Sequence, residues 1–420
     1  MKIRIQIITL LFITFSYLSV TAQTSSDFFA DTTQQFSVSL GANYTYGSSV
    51  VNSAFLNKFI FGGKIERADK DEAYHQLSNE NRVGGDFNFG LKVEIPLDTF
   101  FKKTNVSLIV GVENNVHFDA QFSSDLFQFT FDGNKQFEGE RIDIGKTNFN
   151  YYTLQKLNLG LVKYNKFNGV LAKEGLSINL IKGQESQFMK ITEGSIFTAE
   201  YGKEIEVDLN YRYHSSDTAK TGIAAFNGVG VTTDLFAEFI LKNGDKVYLG
   251  VNDLGFVRWN NNSIKIAADS NFHFEGIVVD NVFDLNDSLV SNISRDSIID
   301  DISTENTKTS YLMAMPASVN INYTKVFNEK WKINVGFYHK ILSNYVPLIS
   351  VNGYYYFNPK LVVRGHVSYG GYGKLNTGLA FSKAIKKALD IFIGTNNIEA
   401  FIKPNSAYSN SGFIGLKAYF

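Results

Sequence analysis

The sequence predicts an all-β protein: a transmembrane antiparallel β-barrel of about sixteen strands, with fourteen as the alternative, and with long extracellular loops. Three observations predict it. Apolar and polar residues alternate along many long segments, and short turns alternate with long polar loops. The composition combines 15% aromatic residues, including 37 Phe and 22 Tyr, with only 5 Pro. This bias favours strands over helices.

The N-terminus has the pattern of an export signal. Lys2 and Arg4 precede an apolar stretch, which is followed by Val20 and Ala22 at the positions where signal peptidase requires small residues. We therefore predict a signal peptide at 1–22, a short periplasmic segment at 23–35 and the barrel at 36–420. The alternative is an N-terminal membrane anchor, but the apolar stretch is shorter than the ~20 residues that a spanning helix needs.

The alternation gives each strand one apolar and one polar face. Both a soluble sandwich and a membrane barrel show this pattern, but many segments here reach the ~9–11 residues that a lipid-crossing strand needs. Strands are predicted near 36–46, 82–96, 104–120, 150–164, 175–182, 187–200, 205–213, 228–241, 246–257, 316–327, 331–340, 346–357, 361–370, 375–383, 388–395 and 411–420.

Short and long connections alternate along the chain, as they do in bacterial outer-membrane barrels. The short links are predicted at 201–204, 242–245, 328–330, 358–360 and near 384–387, and the long ones at 47–81, 121–149, 214–227, 258–315 and 396–410. With an even number of strands, both termini lie in the periplasm. The predicted location is the outer membrane of a Gram-negative bacterium.

Aromatic residues at strand ends predict contacts with the membrane and with the export pathway. Trp259 and Trp331 lie at strand termini, where rim aromatics meet lipid headgroups. Phe420 ends the last strand on its apolar face and is the predicted assembly signal. The expected partners are outer-membrane lipid and the barrel-assembly machinery.

Four motifs resemble a family of uncharacterised Bacteroidota outer-membrane proteins. They are "NSAFLNKFIFGG" (Asn52–Gly63), "LSINLIKG" (Leu176–Gly183), "NDLGFVRW" (Asn252–Trp259) and "YLMAMPASVNINYTKVF" (Tyr311–Phe327). That family is grouped with the long-chain fatty-acid transporter barrels and related secretion-associated barrels. The resemblance implies a β-barrel and a small hydrophobic ligand. It does not imply the transporters' N-terminal hatch, because the Asn-Pro-Ala signature is absent.

The sequence carries no recognisable catalytic or cofactor motif. It has no Cys, no nucleophile elbow, no phosphate-binding glycine loop and no pair of His residues at metal-ligand spacing. Each His is interpreted as a loop or rim residue. The protein is therefore predicted not to be an enzyme, and to hold no metal or cofactor. A net charge of −1 with a pI near 6.6 gives no reason to expect nucleic-acid binding.

Charged residues on the polar strand faces are the candidates for the lumen, because a charge facing lipid costs about 2–4 kcal/mol at the midplane. Inside, they either select a solute or pair with one another. These candidates are Asp86, Lys92, Glu94, Asp208, Arg212, Asp234, Glu238, Arg364 and His366.

Two loop segments are further candidates. Phe55, Leu56, Phe59 and Ile60 have helical spacing and predict an apolar helix, either a hydrophobic ligand entrance or a helix packed into the barrel mouth. The acidic segment Asp280–Asn306 is interpreted as a solvated loop, with a calcium loop or an amphipathic helix as alternatives. The predicted function is a channel or transporter for small molecules, with hydrophobic ones as candidates. The alternative is a non-conducting surface or secretion-associated scaffold.

Overall fold

The structure is a computed structural model that describes residues 34–165, 170–275, 307–386 and 388–420. The predicted signal peptide and the acidic segment Asp280–Asn306 lie outside the described residues. The described strands are β1 (Ser37–Ser48), β2 (Asn81–Leu97), β3 (Val106–Phe122), β4 (Arg141–Asp143), β5 (Thr147–Tyr164), β6 (Leu171–Thr198), β7 (Glu204–Ser215), β8 (Gly228–Ile240), β9 (Lys246–Trp259), β10 (Ile264–Glu275), β11 (Thr307–Lys308), β12 (Tyr311–Ala314), β13 (Ser318–Val326), β14 (Trp331–Lys340), β15 (Val346–Asn358), β16 (Leu361–Gly371), β17 (Leu375–Ile385), β18 (Leu389–Thr395) and β19 (Ser409–Tyr419).

Fourteen strands form a closed antiparallel barrel. Its ring order is β1, β2, β3, β5, β6, β8, β9, β13, β14, β15, β16, β17, β18 and β19, with β12 extending β13 along β9. β1 closes the ring, because it pairs with β2 on one side and with β19 on the other. The predicted fold is confirmed with the alternative count of fourteen, and the count of sixteen is wrong.

Two strands were overcounted near the middle of the chain. The segments predicted at 175–182 and 187–200 are one continuous strand, β6, of 28 residues. The segment predicted at 205–213 is β7, which pairs with the second half of β6 and with β10 but with no other ring strand. The predicted short turn at 201–204 therefore joins β6 to β7 away from the ring.

β4, the second half of β6, β7, β10 and β11 form a sheet beside the barrel mouth, here called the side sheet. Its apolar core contains Ile142, Ile191, Ile196, Tyr211 and Ile266. The side sheet continues the barrel wall beyond the end that carries the long loops, here called the loop rim. The opposite end, where tight turns join β8 to β9, β13 to β14 and β15 to β16, is called the turn rim.

The outer face of the ring is apolar. Cross-strand neighbours form continuous rows of solvent-exposed apolar side chains, such as Val335, Val351 and Val367 on three adjacent strands. Further members of this belt are Val112, Leu157, Leu180, Leu249, Ile321, Ile393 and Ile414. A closed barrel with an apolar belt satisfies every backbone group internally and can cross a membrane. Among the described residues, no helix is long and apolar enough to do so.

Three helices from the first two long loops form a cap over the loop rim: α1 (Ser53–Phe61), α2 (Arg67–Tyr74) and α3 (Ser124–Asp132). Asn52 caps the N-terminus of α1, and its side chain accepts a hydrogen bond from the Phe55 amide at 2.9 Å. Phe55 and Leu56 are buried against Ala73 and Phe127. A short helix, α4 (Glu399–Ile402), lies in the last loop. The predicted apolar helix at Phe55–Ile60 corresponds to α1.

The barrel lumen as candidate functional site

Most of the charged residues predicted for the lumen lie on inward-facing positions of ring strands. These are Asp86, Lys92 and Glu94 on β2, Asp234 and Glu238 on β8, and Arg364 and His366 on β16. Asp208 and Arg212 do not, because they lie on β7 in the side sheet. There Asp208 accepts a hydrogen bond from Arg141 at 2.6 Å. The prediction for these two residues is wrong because β7 is not part of the ring.

Four side chains form a charged network across the lumen, here called the lumen bridge: Asp86, His117, Asp119 and Lys340. The ammonium of Lys340 lies 2.6 Å from Asp86 Oδ1. His117 Nδ1 lies 2.8 Å from Asp86 Oδ1, and Nε2 lies 2.7 Å from Asp119 Oδ2. Both ring nitrogens of His117 therefore lie within hydrogen-bond distance of carboxylate oxygens, and the Lys340 ammonium lies 3.4 Å from Nδ1. The network thus places one ammonium and one imidazole among two carboxylates.

The lumen bridge joins opposite walls of the barrel. β2, which carries Asp86, and β14, which carries Lys340, are seven strands apart in either direction around the ring. A round barrel of fourteen strands spaced ~4.8 Å apart and tilted by ~40° has a diameter of roughly 28 Å. Lys and Asp side chains together extend only about 10 Å. The barrel is therefore flattened at this level, and the bridge closes the gap between its walls.

Two short connections at the loop rim fold inward around the bridge. In the link from β14 to β15, Asn344 donates hydrogen bonds to Asp119 and Asn148 on the far wall. In the link from β16 to β17, the buried ring of Tyr372 lies against Gly84 on β2, where a Cβ would approach the ring to 2.5 Å. Gly370 and Gly371, with φ of 112° and 73°, permit this inward bend. The lumen is thus obstructed from several sides.

A second polar group lies on one wall, on β5, β6, β8 and β9. Buried Lys156 pairs with Asp253, whose amide donates to Asp234 Oδ1 at 2.8 Å. Asn179 donates to Asp234 Oδ2 at 2.8 Å. The two hydrogen bonds to Asp234 join neighbouring strands, whereas the Lys156–Asp253 pair reaches across β6 and β8 on the same side of the ring.

A third polar group follows the inner faces of β14 to β17. Asn352 donates to Asn334 at 3.0 Å, and His366 contacts Asn352 and Ser368 at 2.7 and 3.0 Å. Buried Arg364 donates to Asn396 at 2.6 Å. Among the described residues, no group of three acidic, His or Cys side chains is placed to hold a metal ion.

Apolar side chains fill other parts of the interior. One cluster contains Tyr152, Leu154, Ile181, Val257 and Trp259, and another contains Tyr354, Val362, Phe392 and Phe413. Trp259 is fully buried, with its ring 6.2 Å from that of Tyr311. The prediction of Trp259 as a rim aromatic is therefore wrong.

The other predicted aromatic residues lie at the turn rim. Trp331 is half exposed at the start of β14, with its ring 4.7 Å from that of Tyr355. Phe420 is exposed and lies edge-on to Phe36, which places the ends of β19 and β1 together. The roles of Trp331 as a membrane anchor and of Phe420 as an assembly signal stay predictions.

Lys340, His117 and Asp119 are not among the predicted lumen candidates, and the interpretation of His117 as a loop or rim residue is wrong, because it lies buried within β3. A signal for two of them was present. In "NVHFDA", His117 and Asp119 share one parity, while Val116 and Phe118 occupy the other. Nothing in the local pattern shows that β14 lies opposite β2, so Lys340 could not have been assigned as their partner.

The comparison with protein families gives a clear result. The model of a family of unknown function (DUF5723) matches residues 29–396. The chain belongs to this family. No curated protein matches the sequence.

Several solved structures resemble this DUF5723 member at low identity. The toluene transporter TbuX of Ralstonia pickettii is 11% identical, with a TM-score of 0.42, over 92% of this chain and 90% of that one. The deltaS2S3 mutant of the monoaromatic hydrocarbon channel TodX is 12% identical, with a TM-score of 0.45, over 96% of both chains. A FadL homologue of Pseudomonas aeruginosa is 11% identical, with a TM-score of 0.42, over 92% and 90%.

Proposed function

We propose that the protein is an outer-membrane channel for small molecules that the lumen bridge holds closed. The observation that carries this proposal is the contact between opposite walls: Lys340 on β14 binds Asp86 on β2 at 2.6 Å, halfway around the ring. In this proposal the turn rim faces the periplasm and the cap faces outward.

The chemistry of the bridge favours a closure that can open. Burying an ion pair costs several kcal/mol per ion, and apolar residues of the same volume often fill such a space at no loss of stability. The lumen already contains two apolar clusters built in that way. A charged bridge differs from them because water can solvate its groups when the walls separate. The bridge is thus a contact that hydration can replace.

The cap favours hydrophobic solutes. Phe59 and Phe61 at the end of α1 are 60% and 51% exposed, beside the apolar core formed by the three cap helices. Exposed aromatic side chains at the loop rim offer a surface on which an apolar solute can collect before it enters.

Conductance tests the proposal. We expect the wild-type protein in planar bilayers to conduct weakly, and the double variant Lys340→Met, Asp86→Asn to conduct at least several-fold more. The double variant removes one charge of each sign and so leaves the net charge of the lumen unchanged. The matched control is Lys246→Met, Glu238→Gln, which removes a pair between adjacent strands β8 and β9. This control should leave the conductance unchanged.

A second candidate is a non-conducting scaffold, which the two apolar clusters inside the barrel favour. It predicts that the bridge variant and the wild type are equally silent in bilayers, although both fold. That result would replace the channel proposal.

A further inference from the structure

A groove lies on the outer face of the barrel, beneath the loop that joins β7 to β8. Its volume is about 570 Å³, within the ~300–1,000 Å³ typical of ligand sites. The wall of the groove is formed by outward apolar residues of five adjacent strands: Leu91, Val112, Leu157, Leu180 and Val229. Ile223 and Phe226 of the loop project over it, and both are exposed.

The groove does not open into the lumen. Across its floor, Gly90 pairs with Glu113, Glu113 with Lys156, and Lys156 with Ile181, in unbroken register. The backbone wall is therefore continuous there. A molecule in the groove would lie on the outside of the barrel, against the surrounding membrane.

Polar residues lie at one end of this apolar groove, in a row across three strands. Asn114, Gln155 and Lys182 are cross-strand neighbours on the outward face. The ammonium of Lys182 donates to Gln155 Oε1 and to the Ile223 carbonyl, both at 3.1 Å. These bonds use two of its three N–H groups, so a third is available to a ligand. The positive charge favours an anionic one.

The position of Lys182 matches the level of lipid headgroups. Along the outer face of β5, charged Lys163 is followed by Leu161, Leu159 and Leu157, and then by polar Gln155. Eight residues of a strand tilted by ~40° span roughly 21 Å, close to the ~25 Å apolar band of a membrane barrel. Gln155 and its neighbour Lys182 therefore lie at the boundary of this band on the side of the loop rim.

We infer that this groove binds a lipid of the surrounding membrane through an anionic headgroup phosphate. The phosphate accepts a hydrogen bond from Lys182, and an acyl chain lies along Val112, Leu157 and Leu180. A concave apolar surface that ends in a cation fits an amphiphile better than the flat face of a second barrel. This site goes beyond the proposed channel function and does not depend on it.

Native mass spectrometry of the full chain in detergent micelles tests the site, with phosphatidylglycerol and phosphatidylcholine as probes. We expect the wild type to bind phosphatidylglycerol more tightly than phosphatidylcholine. Lys182→Gln should weaken phosphatidylglycerol binding roughly tenfold, the loss expected for one charged hydrogen bond, and weaken phosphatidylcholine less, because its choline cation offsets the phosphate charge. Leu180→Trp fills the groove and should weaken both lipids.

The control is Lys383→Gln, which removes an exposed outward lysine of β17 near the turn rim. It should bind both lipids like the wild type, and heat-modifiable gel mobility should show that every variant is folded. The site is refuted if Lys182→Gln keeps the wild-type preference or if Lys383→Gln loses it equally. It is also refuted if the groove variants change only the population of dimers, because the face would then be a contact between copies.

Discussion

At the scale of single residues, the alternation of inward and outward positions along a strand predicts the orientation of most side chains. It fails where a β-bulge interrupts the strand. Arg364 and His366 face inward as their alternation predicts. Trp259 does not follow this rule, because Asp253 adopts φ of 61° and the pairing of β8 with β9 shifts between Thr233 and Leu235. Such a bulge moves every later residue to the other face. A single sequence carries no signal for it.

Adjacent residues of β15 provide a test of inward and outward positions. Val351 faces outward in the middle of the belt, whereas Asn352 faces inward beside His366. We expect Val351→Arg to reduce the free energy of unfolding by about 2–4 kcal/mol, because it puts a charge into lipid.

Asn352→Asp, the matched change, should cost less than Val351→Arg, because its carboxylate enters a polar interior rather than lipid. The new carboxylate has the shape of the amide that it replaces and lies inside the barrel, next to His366. The side-chain amide of Asn334 can turn to donate a hydrogen bond to it. Urea titration of the barrels in lipid vesicles measures both variants. Equal losses from the two changes would contradict the assignment of faces on β15.

At the scale of elements, alternation predicts strands well but cannot show which sheet a strand joins. β6 runs as one strand of 28 residues from the ring into the side sheet, although its pairing shifts at Gln184 and again between Ile191 and Glu193. Its second half could therefore be predicted as a separate lipid-crossing strand. β7 also alternates, because one of its faces covers the core around Ile191 and Tyr211. The cap helix α1 was predictable, since its apolar residues recur at helical spacing and a capping Asn precedes them.

Two carboxylates hold the cap helices together. Asp69 of α2 accepts two hydrogen bonds from Lys58 of α1, and Asp132 of α3 binds Lys70 and Tyr74 of α2. Burial raises the pKa of Asp132, but the hydrogen bonds from Lys70 and Tyr74 and the charges of Lys70 and Arg67 outweigh it. The pKa of Asp132 therefore lies below its usual 3.8. The pKa of Asp69 is lowered in the same way, by Lys58 and the Glu66 amide, against the effect of burial.

The cap should therefore loosen in acid. Because both folded-state pKa values lie below those of the free side chains, their stabilisation is complete above about pH 4 and is lost as the pH falls through the folded values. The chain has no Cys, so Ala73→Cys in the cap core can serve as the single reporter. We expect a pyridyl disulfide reagent to label it faster at pH 3 than at pH 6, relative to a free thiol.

In the same reporter background, Asp132→Asn should raise labelling at pH 6 and reduce the difference between the two pH values. The control is Asp98→Asn, since Asp98 is exposed at the other end of the barrel. If the thiol is labelled at the same rate with Asp132 and with Asp132→Asn at both pH values, this carboxylate does not hold the cap.

At the scale of the whole molecule, the closed ring explains why strand number was the hardest quantity to obtain from sequence. Closure depends on which strands meet after the chain has passed around the barrel, and on which strands leave the ring. The lumen bridge depends on closure as well, because Lys340 and Asp86 meet only when β14 and β2 lie opposite each other. The site is therefore a consequence of the ring rather than of any local motif.

Proline substitutions can distinguish ring strands from the side sheet. Leu416 lies within β19 and pairs with Leu40 and Ile391, whereas Val207 lies within β7 and pairs with Ile196 and Phe272. Both residues have neighbours on two sides, so a proline removes one ladder hydrogen bond in either place. Only in β19 does the break fall in the membrane, where an unsatisfied backbone group costs several kcal/mol.

We expect Leu416→Pro to abolish the heat-modifiable folded band, and Val207→Pro to retain it. Loss of that band in both variants would mean that β7 is needed for closure, and retention in both would mean that β19 is not.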